Sequence, residues 1–308
     1  MNFKEFEEKT VEYLKENYAG EADITVKDVI KNNGIILRGV TIAFNGVNIS
    51  PTVYLNDLYK DYLRGEDFFS VCGEMKRMID DAAIRDDVDI SFIKEYESMK
   101  ERVLCKLINT DKNRDYLENV PHVDFLDLSV VFYIIVSDNS FGSGTIVITN
   151  DYFKEWNIDL NTLYEDAKEN TKSLLGGNIT YIEDVIISLL NERRTHAGND
   201  DFERLFKEAE GQAKLPMYVL TNKVKTLGAS CILDSEKLYD FSNELDSDLF
   251  ILPCSLHEII LLPTNMGYDP EILSGMVREI NDSEVSKTDF LSDSVYRFRR
   301  LSGLVELA

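Results

Sequence analysis

The sequence predicts an α+β fold, with antiparallel sheets built from repeated β-hairpin–helix units and helices packed on one sheet face. Three observations lead there. Apolar runs of strand length come in pairs around turn residues such as Asn32-Asn33-Gly34, which supply the positive φ angles that tight hairpin turns need. Capped helical stretches follow those pairs, as at Asp269-Pro270, where aspartate caps and proline takes the first helical position. The order small residue, apolar strand, cap, helix also recurs in TIVITNDYFKEW and ASCILDSEKLYDF. Hairpins joined to helices require antiparallel pairing and argue against a doubly wound parallel sheet.

Residues 2–18 read as an amphipathic helix capped by Asn2 with Glu5 three residues later; Phe3, Phe6, Val11, Leu14 and Tyr18 share one face. ITVKDVI and IILRGVTIAF form the first hairpin, over 24–43. A third strand, 47–55, contains Pro51, which marks an edge or a bend because it cannot donate to a ladder. Helices are expected at 56–64, 66–82 and 91–100, with a short strand near 102–108. The rhythm changes at Pro121, which suggests an N-terminal α+β domain over 1–120 and a C-terminal one over 121–308. VDFLDLSVVFYIIV reads as one long strand, SDNSFGSG as a polar turn and TIVIT as the return strand, giving a hairpin over 126–149. Asn150 is placed to cap a helix through Trp156, and Thr162 with Glu165 to open another that stops at Gly176-Gly177. Residues 180–194 read as a helix and 195–215 as an acidic connector or helix. Hairpins at 217–234 and 248–263 then each lead into a helix.

Composition narrows the functional classes. The chain has 308 residues, 44% of them hydrophobic, ample for a real core. Its longest apolar run, Val130–Val136, is far short of the roughly 20 residues that cross a bilayer. The opening MNFKEFEEKT lacks a basic-then-apolar signal pattern. Four cysteines without C-x-x-C spacing, three of them in apolar runs, predict free thiols, no structural zinc and a reducing cytoplasm. The net charge of −23, from 56 acidic and 33 basic residues, disfavours direct nucleic acid binding and points to a protein partner with a basic surface. The basic candidates for an exception are Arg193-Arg194 and the group Arg297, Arg299, Arg300; neither has a phosphate-binding glycine loop beside it.

Several segments together carry a resemblance: MNFKEFEE, KNNGIILRGV, NISPTVYLNDLY, KLINTDKNRDYLENVPHVDFLDLSVVFY, and MYVLTNK through LGASCILD to DLFILPCSLHEIILLP, closing with LSDSVYR. They resemble an uncharacterised bacterial family that carries only a domain-of-unknown-function label, over nearly the whole chain. The C-terminal half is also distantly similar to a second uncharacterised bacterial family. The resemblance implies a bacterial, cytoplasmic protein of unknown role and brings no catalytic residue and no cofactor.

Candidate chemistry is sparse, since the chain has three histidines. Ser255 and His257, with Glu258 adjacent and an acid such as Asp248 nearby, have the residue types of nucleophile, base and orienting carboxylate. No nucleophile-elbow glycines accompany them. The segment is read more simply as a hairpin turn in which the His257 ring bonds to nearby backbone. His122 and Asp124 share a strand face near Asp127 and offer a His–carboxylate pair or two metal ligands, short of a complete site. Gly142-Ser143-Gly144 joins two strands and reads as a turn, without the helix N-terminus that phosphate binding needs. Three functions remain open: a non-enzymatic binding protein, a hydrolase-like enzyme using Ser255 and His257, and an acidic decoy of a nucleic-acid-binding protein.

Overall fold

In the computed structural model, which describes residues 1–83, 91–139, 142–194 and 216–308, the chain has the α+β class with antiparallel sheets. It divides into two compact units, residues 1–98 with 135–146, and residues 99–134 with 147–308.

In the first unit the local signals act as the hydrophobic period requires. Helix α1 (Phe3–Asn17) has a complete capping box: Asn2 Oδ1 accepts the Glu5 N–H at 3.0 Å, and Glu5 Oε2 accepts the Asn2 N–H at 3.1 Å. Strands β1 (Ala22–Ile30) and β2 (Ile36–Phe44) pair in register from Ala22↔Phe44 to Ile30↔Ile36. Asn33, at φ 61°, makes the turn between them. Strand β3 (Thr52–Tyr54) follows Pro51 and lies at the edge of the order β1-β2-β3. Helices α2 (Leu55–Leu63) and α3 (Phe68–Ala82), the latter capped by Asp67, complete a core around Phe6, Leu14, Ile42, Leu55, Met75 and Ile79. Short 3-10 turns and α4 (Tyr96–Met99) then occupy the expected 91–100 helix.

The second unit departs further from the local reading. It contains β4 (Val103–Asn109), α5 (Arg114–Leu117), β5 (His122–Phe125) and the start of β6 (Leu128–Asn139), in the order β4-β6-β5; from residue 135 the rest of β6, and β7 (Gly142–Val147) paired to it as far as residue 146, belong to the first unit. The expected long strand is therefore two: at Leu126, φ 57°, the chain folds back so that Phe125 pairs with Leu128 and His122 with Val131. No glycine, asparagine or proline announces that turn. Remote groups hold it instead, since the Asp127 carboxylate accepts from Ser292 Oγ at 2.6 Å, Ser294 Oγ at 3.0 Å and the Tyr296 hydroxyl. Because β4 pairs with β6 from Val103↔Ile134 to Asn109↔Leu128, the junction expected near 118–122 falls inside this unit. Gly142 and Gly144 lie within β7, so the segment read as a turn is strand.

Helix α6 (Asn150–Trp156) is preceded by Thr149 at the cap; Asn150 is its first helical residue and donates through Nδ2 to Glu118 O at 2.8 Å. Helix α7 (Leu160–Asn170) starts ahead of Thr162 because Asp159 caps it, accepting the Thr162 N–H at 3.0 Å. After Gly176 comes a strand the sequence reading lacked, β8 (Gly177–Tyr181), followed by α8 (Ile182–Arg194). The expected connector at 195–215 lies outside the described residues.

Strand β9 (Tyr218–Asn222) has no return strand at ASCILD. Residues Gly228–Leu233 form a 3-10 turn, and β9 pairs with β8 and β11. Helix α9 (Ser235–Glu244) follows with Asp234 as cap. The hairpin β10 (Leu249–Leu252) with β11 (Ile259–Pro263) forms as expected, as does α10 (Pro270–Ser283) behind its Asp269 cap. Strands β12 (Tyr296–Arg299) and β13 (Leu304–Leu307) finish a six-stranded sheet in the order β13-β12-β10-β11-β9-β8.

Candidate functional site

Ser255, His257 and Glu258 lie on the loop between β10 and β11, and each is engaged differently. Ser255 is buried, and its Oγ accepts the backbone N–H of His257 at 3.0 Å. The His257 ring faces elsewhere. Nδ1 accepts the Leu227 N–H at 3.3 Å, and Nε2 approaches Asp289 Oδ1 at 3.6 Å, an ion-pair contact longer than a hydrogen bond. Its backbone carbonyl takes the Thr221 hydroxyl at 2.7 Å. Glu258 is exposed.

The electrostatics follow from that geometry. Contact with Asp289 raises the pKa of His257 and burial opposes it, while the Leu227 N–H needs a lone pair on Nδ1 and so favours the neutral ring. The same contact lowers the pKa of Asp289 against burial, with Ser286 Oγ donating to Asp289 Oδ2 at 2.8 Å. This brings together the turn before α9, the β10–β11 loop and the 286–290 segment. It is a His–carboxylate pair with its serine turned toward backbone.

Asp248 is committed to other partners. Arg297 Nη2 donates to Oδ2 at 2.7 Å and the Arg300 N–H to Oδ1 at 3.0 Å. Burial works against the Asp248 carboxylate, but those two donors hold its pKa below the usual range. His122 donates through Nδ1 to Val120 O at 3.0 Å, the tautomer following from the carbonyl partner, and Asp124 is exposed two residues on. Asp127 is the turn anchor already described. Among the described residues, no three His, Cys, Asp or Glu side chains converge as metal ligands.

A second candidate was not legible in the sequence. A cleft of about 190 Å³ is lined by Cys105, Thr171, Lys172, Cys231, Asp234 and Glu236 among others. Cys105 and Cys231 are far apart in the chain, and only β4 and the Gly228–Leu233 turn bring them to one cavity. Burial pushes the Cys105 thiol up to about 11 and the Cys231 thiol to about 12, so both are protonated at neutral pH and poor nucleophiles. Lys172 is held by Glu236 at 2.5 Å and Asp234 at 3.6 Å. The cavity is smaller than typical ligand pockets of roughly 300 Å³ and above.

The family model covers this geometry almost end to end. The chain belongs to DUF5688, a family of unknown function, matched over residues 3–300. No curated protein and no solved structure matches it. Membership therefore spans the His257 network and the thiol cleft and assigns neither an activity. Among the described residues, no helix is long and apolar enough to cross a membrane.

Proposed function

We propose that this chain is a non-enzymatic binding protein of the bacterial cytoplasm whose acidic surface takes a protein partner with a basic face. The observation that carries the reading is that the groups nominated for chemistry are already bound to the fold. Ser255 Oγ faces the His257 backbone, Asp248 is clamped by Arg297 and Arg300, and the cleft thiols are protonated. Four buried free thiols suit a reducing compartment. A charge of −23 steers basic partners and repels nucleic acid. Affinity capture on the immobilised chain should retain a basic protein that moderate salt releases. Retention that ignores salt, or of acidic proteins only, counts against the reading.

A second reading, a hydrolase-like enzyme, is favoured by one observation: the His257–Asp289 contact is the base-and-orienter half of a nucleophilic site. His257→Ala separates the two. If the ring is structural, stability falls by about 1–2 kcal/mol, the cost of its hydrogen bond with some packing. The sign of the pH dependence follows from the shifts. Raised above 6.5, His257 stabilises fully below that pH and loses its contribution as pH rises through the raised value. Lowered below 3.8, Asp289 stabilises above that pH and loses its contribution as pH falls through the lowered value. The difference between wild type and His257→Ala is thus largest between these two ordinary values, 3.8 and 6.5. An unchanged melting temperature, with loss of a wild-type esterase, phosphatase or peptidase activity, would establish the enzyme.

A further inference from the structure

Among the described residues the six-stranded sheet ends at β13, and the β12–β13 register fixes what that edge presents. Tyr296 pairs with Leu307 and Arg299 with Leu304, while the Ala308 N–H bonds to Val295 O at 2.9 Å. Bonded and non-bonded pairs alternate in an antiparallel ladder. Leu304 and Glu306 therefore bond to β12, and Val305 and Leu307 turn their N–H and C=O groups outward. Natural edges are commonly guarded by lysine or proline. The sequence LVEL has neither, and its one charge, Glu306, is bound to Arg299 at 2.6 Å. Leu301, Leu304 and Leu307 are 97%, 64% and 56% exposed along this hairpin.

Beside the edge lies an open groove of about 630 Å³. Pro270, Ser274 and Arg278, spaced four apart on one face of α10, form one wall; Asp293, Val295 and Leu307 form the other. A strand edge with outward amides next to a helix-walled groove is the arrangement that takes an extended peptide, with backbone bonds to the edge and alternate side chains in the groove.

The geometry points to β13 as the docking edge for an extended, basic segment of a partner protein, which joins the sheet as a further strand. This rests on the binding reading above and gives it a place. Charge selects the occupant. Glu271 and Asp293 outnumber Arg278 in the groove, the hairpin's Arg297, Arg299 and Arg300 are each paired with a carboxylate (Asp248, Glu306 and Asp246), and the chain as a whole carries −23. A segment alternating lysine with apolar residues is attracted, whereas a second copy of this chain brings the same negative charge and is repelled.

The test uses the full chain and a fluorescein-labelled octapeptide alternating lysine and valine, read by fluorescence anisotropy at low salt. A glutamate–valine octapeptide is the control. The lysine peptide should bind saturably and the glutamate peptide should not. Val305→Pro removes an outward donor without touching a bond to β12, and should weaken binding about tenfold or more. Ser274→Arg fills and charges the helix wall while leaving the strand intact, and should weaken it similarly; unchanged melting temperatures exclude unfolding. The assignment is overturned if the lysine peptide does not bind, binds both variants as it binds wild type, or is matched by the glutamate peptide. Concentration-dependent dimerisation lost in Val305→Pro, seen by sedimentation, would give the edge to a second copy instead. A basic protein captured equally by wild type and Val305→Pro would leave the acidic-interaction reading standing and remove this edge from it.

Discussion

The three-stranded sheet of the first unit and the six-stranded sheet of the second are made from similar residues but obey different rules. Along β1, exposed positions alternate with half-buried ones for most of its length, so the strand has a wet face and a core face. All four residues of β10 are buried, as are Tyr218, Val219 and Leu220 of β9. A half-buried strand carries its register in its own pattern, because a slip by one residue would move the core face into water. A strand buried on both faces carries no such mark, and its neighbours are chosen by what the rest of the chain leaves open. The second sheet should accordingly depend more on contacts made at a distance.

Two glycines set the two regions apart most sharply. Gly228 sits where an added Cβ would lie 2.3 Å from Thr221 Oγ1, 2.4 Å from His257 O and 2.7 Å from Asn222 N. Two of those neighbours are backbone and cannot step aside, so Gly228→Ala should cost about 3 kcal/mol or more in chemical denaturation. A cost below about 1 kcal/mol would mean that β9 and the β10–β11 loop are less tightly coupled than this close approach implies. Next in size is Asp127→Ala, which leaves the hydroxyls of Ser292, Ser294 and Tyr296 without their shared acceptor. A loss of about 2–3 kcal/mol is expected by the same measurement. Burial and the Asp127 contact raise the Tyr296 pKa, so alkaline titration of tyrosine absorbance should show one residue ionising earlier in the variant.

The smallest effect belongs to the first sheet. In β2 a Cβ on Gly39 would meet Thr52 Cγ2 and Val29 Cγ2, both at 3.0 Å. These are side-chain methyl groups that can shift by a few tenths of an ångström, and alanine removes backbone freedom from the unfolded chain. Gly39→Ala should therefore change stability by about 1 kcal/mol or less in either direction. Equal costs for Gly39→Ala and Gly228→Ala would erase the distinction between the two sheets.

Much of the candidate chemistry was visible as residue types, and little of it as relationships. His257 stood out because histidine is rare here and lies beside Ser255, yet its carboxylate partner is Asp289, beyond α10. The acid nearer in sequence, Asp248, is occupied by Arg297 and Arg300 from β12 and the turn after it. Cys105 and Cys231 read as separate apolar thiols, and their shared cleft exists only because β4 and the Gly228–Leu233 turn line one cavity.

By itself the sequence determined the elements whose signals are short in range. The α1 capping box, the hairpin around Asn33, the Asp269-Pro270 start of α10 and the α+β class all rest on bonds within a few residues or on a hydrophobic period. Only the tertiary structure decided the fold-back at Leu126-Asp127, the 3-10 turn in place of a strand at ASCILD, and the placing of β8 beside β9. In each of these the deciding groups are far away in the chain. Asp127 is held by hydroxyls more than 160 residues on, and the Gly228 turn lies close against the His257 carbonyl, with the Ala229 N–H bonded to Leu256 O of the β10–β11 loop. Local patterns report the free energy of a segment against water; they do not report the partner that finally covers it.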